Sequence, residues 1–535
     1  MLTKRLTYLL LCCAMACHSF AQDSLLLRDY SYVKQHDAWL SLPGTAALTR
    51  YRLANIVEAE ATLTKENSGL VDYYQSDDWL EGNVSIESIY RLNQRTVFLG
   101  AISYNNWTGK EMTGSAFIDP TRKPFNLVES DLENEGKKHR DTYRLTGGVG
   151  IDVYQGLSLG ARIDYTSANY AKYKDLRHKN KMMDLRVTAS VYAPLKKWLN
   201  VGADYQYHRN TESLEFGTYG KSDKVYKTLI DYGTFMGMTE QFGNEGYTDK
   251  TREMPLFEDS HRGALQIEMQ PLPALSVLGS LSFSHGTGYY GRKSPYTITY
   301  TNHERDITEV KGIVTYRTQK GMHRLDVGYA REKLVNRAET FRGLTNSNGA
   351  TYYEYYDANK TADKKWKDLH AGYTAHLDIN GELPTWTLTA EYHWTERQQV
   401  SYLFPYYRLQ QLRTHRAGVS ATRRFVCQKG VWAVMLRALY QKGSGDPRDD
   451  GTFVNPSDKQ EAPATMEAML QREYHYLTAP QYGFGGQVKY TFRFPGTELS
   501  TFVKADAEYR RTSESNGYEK GKDHTGLSLS IGCTF

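Results

Sequence analysis

Eighteen segments of this chain alternate apolar and polar residues with period two, and the spacers between them are short and long by turns. The alternation is the mark of a β-strand with one apolar and one polar face. The first segments read RLANIVEAEATLTKE (52–66), LEGNVSIESIYRL (80–92) and RTVFLGAISYNNW (95–107), and the last is HTGLSLSIGCTF (524–535). Short spacers such as QG (155–156), PLP (271–273), GELP (381–384) and PGTE (495–498) carry turn residues, whereas long ones run over 108–141, 210–261, 335–368 and 443–481. Short turns on one side and long loops on the other describe a transmembrane barrel, with turns in the periplasm and loops outside. The fold expected is an all-β, antiparallel up-and-down barrel of about 18 strands (16–18) over residues 52–535.

The chain's start fits that location. MLTKR is cationic, LTYLLLCCAMAC is apolar, and SFAQ supplies small residues for cleavage near Ala21. Residues 1–21 therefore read as a secretory signal peptide for Sec-type export, too short and too early for a spanning helix. Residues 22–51 are then expected to form a short periplasmic segment before the barrel. No later stretch of about 18 apolar residues exists, so any membrane crossing must use a closed barrel. The 42 Tyr residues suit a surface that is apolar and wet within a short distance. In WTLTAEYHW, Trp386, Leu388, Ala390, Tyr392 and Trp394 share one face, with aromatic residues towards its ends, as a lipid-facing strand requires.

Charge and cysteine content exclude other classes. The formal charge of +5 falls to +3 when Lys4 and Arg5 leave with the signal, so bulk charge gives no case for nucleic acid. Cys427 and Cys533 are the only cysteines after residue 21, and they form neither a metal spacing nor a disulfide framework. No metal and no cofactor is expected.

The polar face of the strands is strongly charged. Arg162, Asp164, Arg186, Asp204, Lys311, Arg324, Asp326, His376, Asp378, Glu391, His393, Arg416, Lys504 and Asp506 are expected to line the lumen. Charges at this density require water or ion pairing, since unpaired charges are costly in a dry interior. Eighteen strands at about 4.8 Å spacing and about 40° tilt enclose a barrel roughly 36 Å across, wide enough for a channel unless loops fold inward. Tyr-rich spacers, with Tyr352, Tyr353, Tyr355 and Tyr356 in TYYEYY and Tyr406 and Tyr407 in LFPYYR, are candidate extracellular recognition loops.

Catalysis finds little support. No His is followed two residues later by Ser, the spacing a phospholipase-like strand site would need, and the pairs Asp77-Asp78, Asp449-Asp450 and Asp523-His524 read as solvated rim residues. No catalytic residues are assigned and the chain is not read as an enzyme.

The terminal Phe535 resembles the C-terminal signature of outer-membrane barrels, an assembly signal for the barrel-insertion machinery. With the SFAQ-type signal and Tyr-rich loops, the chain resembles uncharacterised Bacteroidota outer-membrane β-barrel proteins classed as a domain of unknown function. That resemblance implies the outer membrane of a Gram-negative bacterium and no activity. TonB-dependent uptake receptors resemble it as large barrels but carry a much longer N-terminal plug. The chain is thus read as a passive channel or an accessory component of an outer-membrane transport system. The alternative is a barrel-anchored surface-binding or assembly protein, with an outer-membrane hydrolase third. The partners expected are outer-membrane lipid, the insertion machinery and a transport or surface-lipoprotein partner.

Overall fold

The computed structural model describes residues 28–129, 132–220, 223–243, 246–493 and 499–535. Residues 1–21, expected as a signal peptide, and the turn expected at 495–498 lie outside these described residues. Eighteen strands, all antiparallel, pair each with its sequence neighbour, and the first, Ile56–Ser68, pairs with the last, Asp523–Thr534, so that no sheet edge remains. The closing register sets Leu63 opposite Leu529, and Phe535 extends it through two backbone hydrogen bonds with Val57 (2.8 and 3.0 Å).

Alternation decides which side chains meet lipid. Leu527, Leu529, Ile531 and Phe535 are 55–64% exposed on the outside, and Ile102, Leu265, Ile267, Phe283 and Leu436 on other strands are exposed by more than half. So many large apolar side chains on one continuous surface mark a face made for hydrocarbon. Among the described residues no helix is long and apolar enough to cross a membrane.

One expectation about the non-barrel chain is corrected: neither the spacer 335–368 nor the stretch around LFPYYR is a loop. Strands Gly321–Thr345 and Thr351–Asn380 form one long hairpin, and Leu383–Leu403 and Tyr406–Cys427 form another, turning at Phe404-Pro405. Thr- and Tyr-rich sequence has high strand propensity and simply continues the ladder past the membrane. From Tyr329 to Thr345 the first hairpin runs on the order of 50 Å along the strand.

Of the segment expected at residues 22–51, residues 28–51 are described. A helix, Tyr30–Gln35, and two 3-10 turns, Ala38–Ser41 and Ala46–Arg50, lie against the inner wall at the short-turn end. Asp29 and Asp37 cap the first two, each accepting from a backbone N–H two or three residues on (3.0 Å). Its apolar residues, among them Val33, Trp39 and Leu48, are buried there in two small clusters.

From the other end, the long spacers fold inward. Strands Asn126–Glu129, Lys227–Asp231, Met236–Gln241 and Ala464–Thr465 make a second, four-stranded sheet inside the barrel, and the helix Glu467–Thr478 packs beside it. Phe117, Phe125, Leu127, Leu214, Ile230 and Tyr290 are almost fully buried around it.

Candidate functional site

Between these two closures the lumen keeps a cavity of about 730 Å³. Its wall is polar. Arg144, Arg186, Arg262 and Arg305 alternate with Asp184, Glu258, Glu309 and Glu332 on strands between Gly136 and Thr345, and His208 and His303 stand among them. Its roof is the tip of the loop after Thr96–Met112, Asp119 to Pro124, closed by Asp119 accepting from the Thr121 N–H (2.9 Å).

The roof is clamped by charge. Arg122 donates to Glu332 (2.7 Å) and to Asp368 (2.8 Å), with its guanidinium over the Trp366 ring. Arg305 pairs with the same Glu332 and with Glu258 (3.1 Å), and donates to the Arg122 carbonyl (2.8 Å). Lys123 reaches Glu212 (3.2 Å), which also accepts from Asn180 (2.7 Å) and the Ile118 N–H (2.9 Å). Such shared, multiply bonded pairs hold the tip in one geometry.

The floor is residues 28–51. The Trp39 indole donates to Glu268 (2.9 Å), which also accepts from Asn200 (2.8 Å) and Ser276 (2.7 Å) and pairs with Arg50 (3.1 Å). Burial of Arg50 is outweighed by Asp37 and Glu268, which hold its guanidinium above its ordinary pKa and so firmly charged. Arg324 donates to the Gln35 carbonyl (3.0 Å) and the Ser41 hydroxyl (2.8 Å), and Arg424 pairs with Asp29. Thr45 and Ala46 sit on glycines: a Cβ at Gly160 would lie 2.1 Å from the Ala46 nitrogen, and one at Gly150 would lie 2.4 Å from the Thr45 carbonyl oxygen. Only glycine allows the segment so close.

The residues expected in the lumen stand on the strand positions that alternate with the lipid-facing ones. Many pair sideways: Arg162 with Asp164 (2.8 Å), Arg324 with Asp326 (2.8 Å), Arg262 with Asp204 (2.6 Å), Lys311 with Glu309 (3.0 Å), Arg437 with Asp506 (2.6 Å), and Lys504 with Glu60. Arg186 and Asp184 (3.2 Å) border the cavity. Glu391 and Arg416 line a smaller recess, and His393 stacks near His370 with ring centroids 4.6 Å apart. His376 is buried under the floor, bonded to Gln35 (3.0 Å) and Thr387 (3.2 Å). Asp378, exposed near the short turn at the end of its strand, has φ +50° and accepts from Thr385 (2.9 Å) on the neighbouring strand. Among the described residues no three His, Cys, Asp or Glu are grouped to hold a metal.

The Tyr residues expected in loops stand on the projecting hairpins. Tyr353 and Tyr355 edge Phe341, and the Tyr355 hydroxyl accepts from the Thr299 N–H (2.8 Å), tying a neighbouring spacer to the hairpin. Tyr352 is half-buried, Tyr356 is exposed beside Arg342, Tyr407 packs on Phe453, and Tyr406 donates to the Gln460 carbonyl (3.4 Å). Of the acidic rim pairs, Asp78 is held by Lys110 (2.9 Å), Asp450 by Arg408 (2.5 Å) and Asp77 by Lys520 (2.8 Å).

Sequence reasoning missed the floor and the roof clamp. Inward-facing glycines at one level of adjacent strands, Gly150 and Gly160, were the available sign that another chain segment presses there. Nothing local marked Arg122 or Glu332.

Solved structures similar to this chain are themselves large barrels. The outer membrane transporter YddB from Escherichia coli is 7% identical, with 90% of this chain and 81% of that chain covered at a TM-score of 0.41. The FrpB iron transporter from Neisseria meningitidis is 8% identical, with 92% and 83% covered at 0.40. The alcaligin outer membrane receptor FauA from Bordetella pertussis is 9% identical, with 89% and 76% covered at 0.39. No curated protein sequence matches. A family model does, over residues 45–535, and the chain therefore belongs to DUF6850, a family of unknown function.

Proposed function

We propose that this protein is an outer-membrane transport component whose polar chamber is closed at rest from both ends and opens when residues 28–51 leave the wall. The observation that carries this reading is the character of the floor. Beside two small apolar clusters, hydrogen bonds and ion pairs hold it to a wall already able to solvate polar groups, and water or a polar solute can replace those polar contacts at modest cost. The mixed charges of the chamber suit small polar or zwitterionic solutes over apolar ones.

Planar-bilayer conductance tests the reading. The intact protein should be silent apart from rare openings. A variant lacking residues 28–51 should flicker, and one in which residues 116–125 are also replaced by a Gly/Ser linker should show steady open steps. Heat-modifiable gel mobility establishes that each variant is a folded barrel. A folded double variant that stays silent would remove the transport reading and leave the barrel as an anchor. That second reading is favoured by the long hairpin Gly321–Asn380, which projects far beyond the lipid-facing belt.

A further inference from the structure

Above the aromatic belt on the long-loop side, the lipid-facing wall carries charges, and on most strands they are matched. Lys110 is paired with Asp78 (2.9 Å), Arg209 with Asp259 (2.9 Å) and His285 with Asp306 (2.8 Å). One sector breaks that pattern. On the strands Gly321–Thr345, Thr351–Asn380, Leu383–Leu403 and Tyr406–Cys427, the outward positions just above the belt are Arg331, Lys333, Lys365, Lys367, Glu396 and Arg413. Five of these six are cationic.

Their side is fixed by alternation. Leu325, Val327 and Tyr329 lead up to Arg331 on the exposed face, whereas Glu332, Lys364 and Trp366 between the cations are buried inside against the Arg122 loop. The register then sets like charges opposite each other twice, Arg331 against Lys367 and Lys333 against Lys365. Directly opposed like charges destabilise a sheet. Glu396 is shared by Lys367 (2.7 Å) and Arg413 (2.9 Å), Asp306 on the far flank of Lys333 is bonded to His285, and Asp363 above Lys365 to Lys360 (2.6 Å). Arg331, Lys333 and Lys365 make no ion pair among the described residues.

We infer that this sector is a binding site for a phosphorylated lipid headgroup of the outer leaflet, a glycolipid phosphate seated between the two like-charged pairs. The position supplies the depth, since Tyr329 lies one outward position below Arg331 and Tyr392 two below Glu396, which sets the headgroup boundary just under the cations. The charge supplies the chemistry, because each basic residue at an anionic membrane surface strengthens binding. An acyl chain beneath would lie along Val327, Leu325, Leu388 and Val419, all outward and apolar.

The test uses the full mature protein in neutral detergent, with lipid A, dephosphorylated lipid A and inorganic phosphate as probes. Native mass spectrometry and thermal melting report binding. Lipid A should bind and raise the melting temperature, with the dephosphorylated form and inorganic phosphate at equal concentration giving little. The triple variant Arg331→Gln, Lys333→Gln, Lys365→Gln should bind lipid A about a hundredfold more weakly, the expected loss for three basic residues. Without lipid it should melt no lower than the parent, since it sheds the like-charge pairs. Lys110→Gln, in a matched sector, should bind as the parent does. Equal lipid A binding by parent and triple variant overturns the site. A shift produced equally by inorganic phosphate makes it a simple anion site and overturns the lipid assignment, and equal binding of the dephosphorylated form overturns the role of phosphate.

Discussion

The two closures of the lumen fill the same barrel by opposite means. The roof on the long-loop side is built like a protein core, with Phe117, Phe125, Leu127 and Tyr290 at 0–1% exposure and a sheet of its own beneath the helix Glu467–Thr478. The floor, residues 28–51, is built like a docked ligand. Its apolar contacts are divided into two small clusters, and polar contacts such as Thr45 to the Val149 carbonyl (3.0 Å) and Ala46 to Ser190 (3.0 Å) bind it to strand after strand. A core cannot be taken apart piece by piece, because its apolar surface has nowhere else to go. A polar interface in a wet lumen can, because water restores each lost bond. On the proposed reading, the difference makes the floor the part suited to move.

The comparison breaks most visibly at the roof. Phe125→Ala removes a fully buried ring that edges Phe117, Tyr247 and Tyr290, and should cost about 3–5 kcal/mol of roof stability. Limited proteolysis within residues 113–129 should become rapid while the floor and the heat-modifiable barrel stay unchanged. If the floor loosens equally, the two closures are one cooperative unit.

A smaller effect is expected at the floor. Glu268→Gln keeps the shape but removes the charge that Trp39, Asn200, Ser276 and Arg50 share, and should weaken docking by about 1–3 kcal/mol. Hydrogen exchange across residues 30–51 should rise, with the melting of the barrel unaltered. Gly160→Ala approaches the same interface by shape alone. Its methyl group would meet the Ala46 backbone, and overpacking of this kind costs about 1–3 kcal/mol. The two variants should loosen the same residues; exchange that rises only near the substituted site would deny that residues 28–51 dock as one piece.

The barrel was legible because it repeats. Eighteen weak alternations add up, and the facing of Glu391 or Asp506 follows from parity with Ala390 or Ala507 on their own strands. What lies inside the barrel repeats nothing. Arg122 meets Glu332 and Asp368 across more than two hundred residues of chain, and Trp39 meets Glu268 across a similar span. Those meetings depend on how spacers fold back, which single-strand patterns do not encode. The reading of TYYEYY as loop failed for a further reason: the residues suited to recognition loops are also good strand formers, and pairing with 341–345 was available.

The smallest effect concerns how the roof is fastened to its rim. Asp72, in the spacer between the first two strands, is buried beside Glu473 of the roof helix, with Arg397 donating to Glu473 (2.7 and 3.0 Å) and Arg472 donating to the Val71 carbonyl (3.1 Å). Burial, and then the neighbouring Glu473 carboxylate, push the Asp72 pKa well above the usual carboxylate range, with the Tyr73 N–H and the two arginines opposing only in part. The docked state therefore holds a proton that the undocked state releases. Docking stability from this group is fully present below the ordinary carboxylate pKa and is lost as pH rises through the raised value. Exchange of the Glu467–Thr478 amides, corrected for the intrinsic effect of pH, should be slower at pH 5 than at pH 9. Asp72→Asn keeps a neutral side chain at every pH, so it should abolish that difference and hold the helix at its low-pH protection. Protection in the parent that rises with pH would mean that ionised Asp72 serves Arg397 and Arg472 better than the protonated form serves Glu473, and the roof would then be fastened by charge at its rim as well as at Arg122.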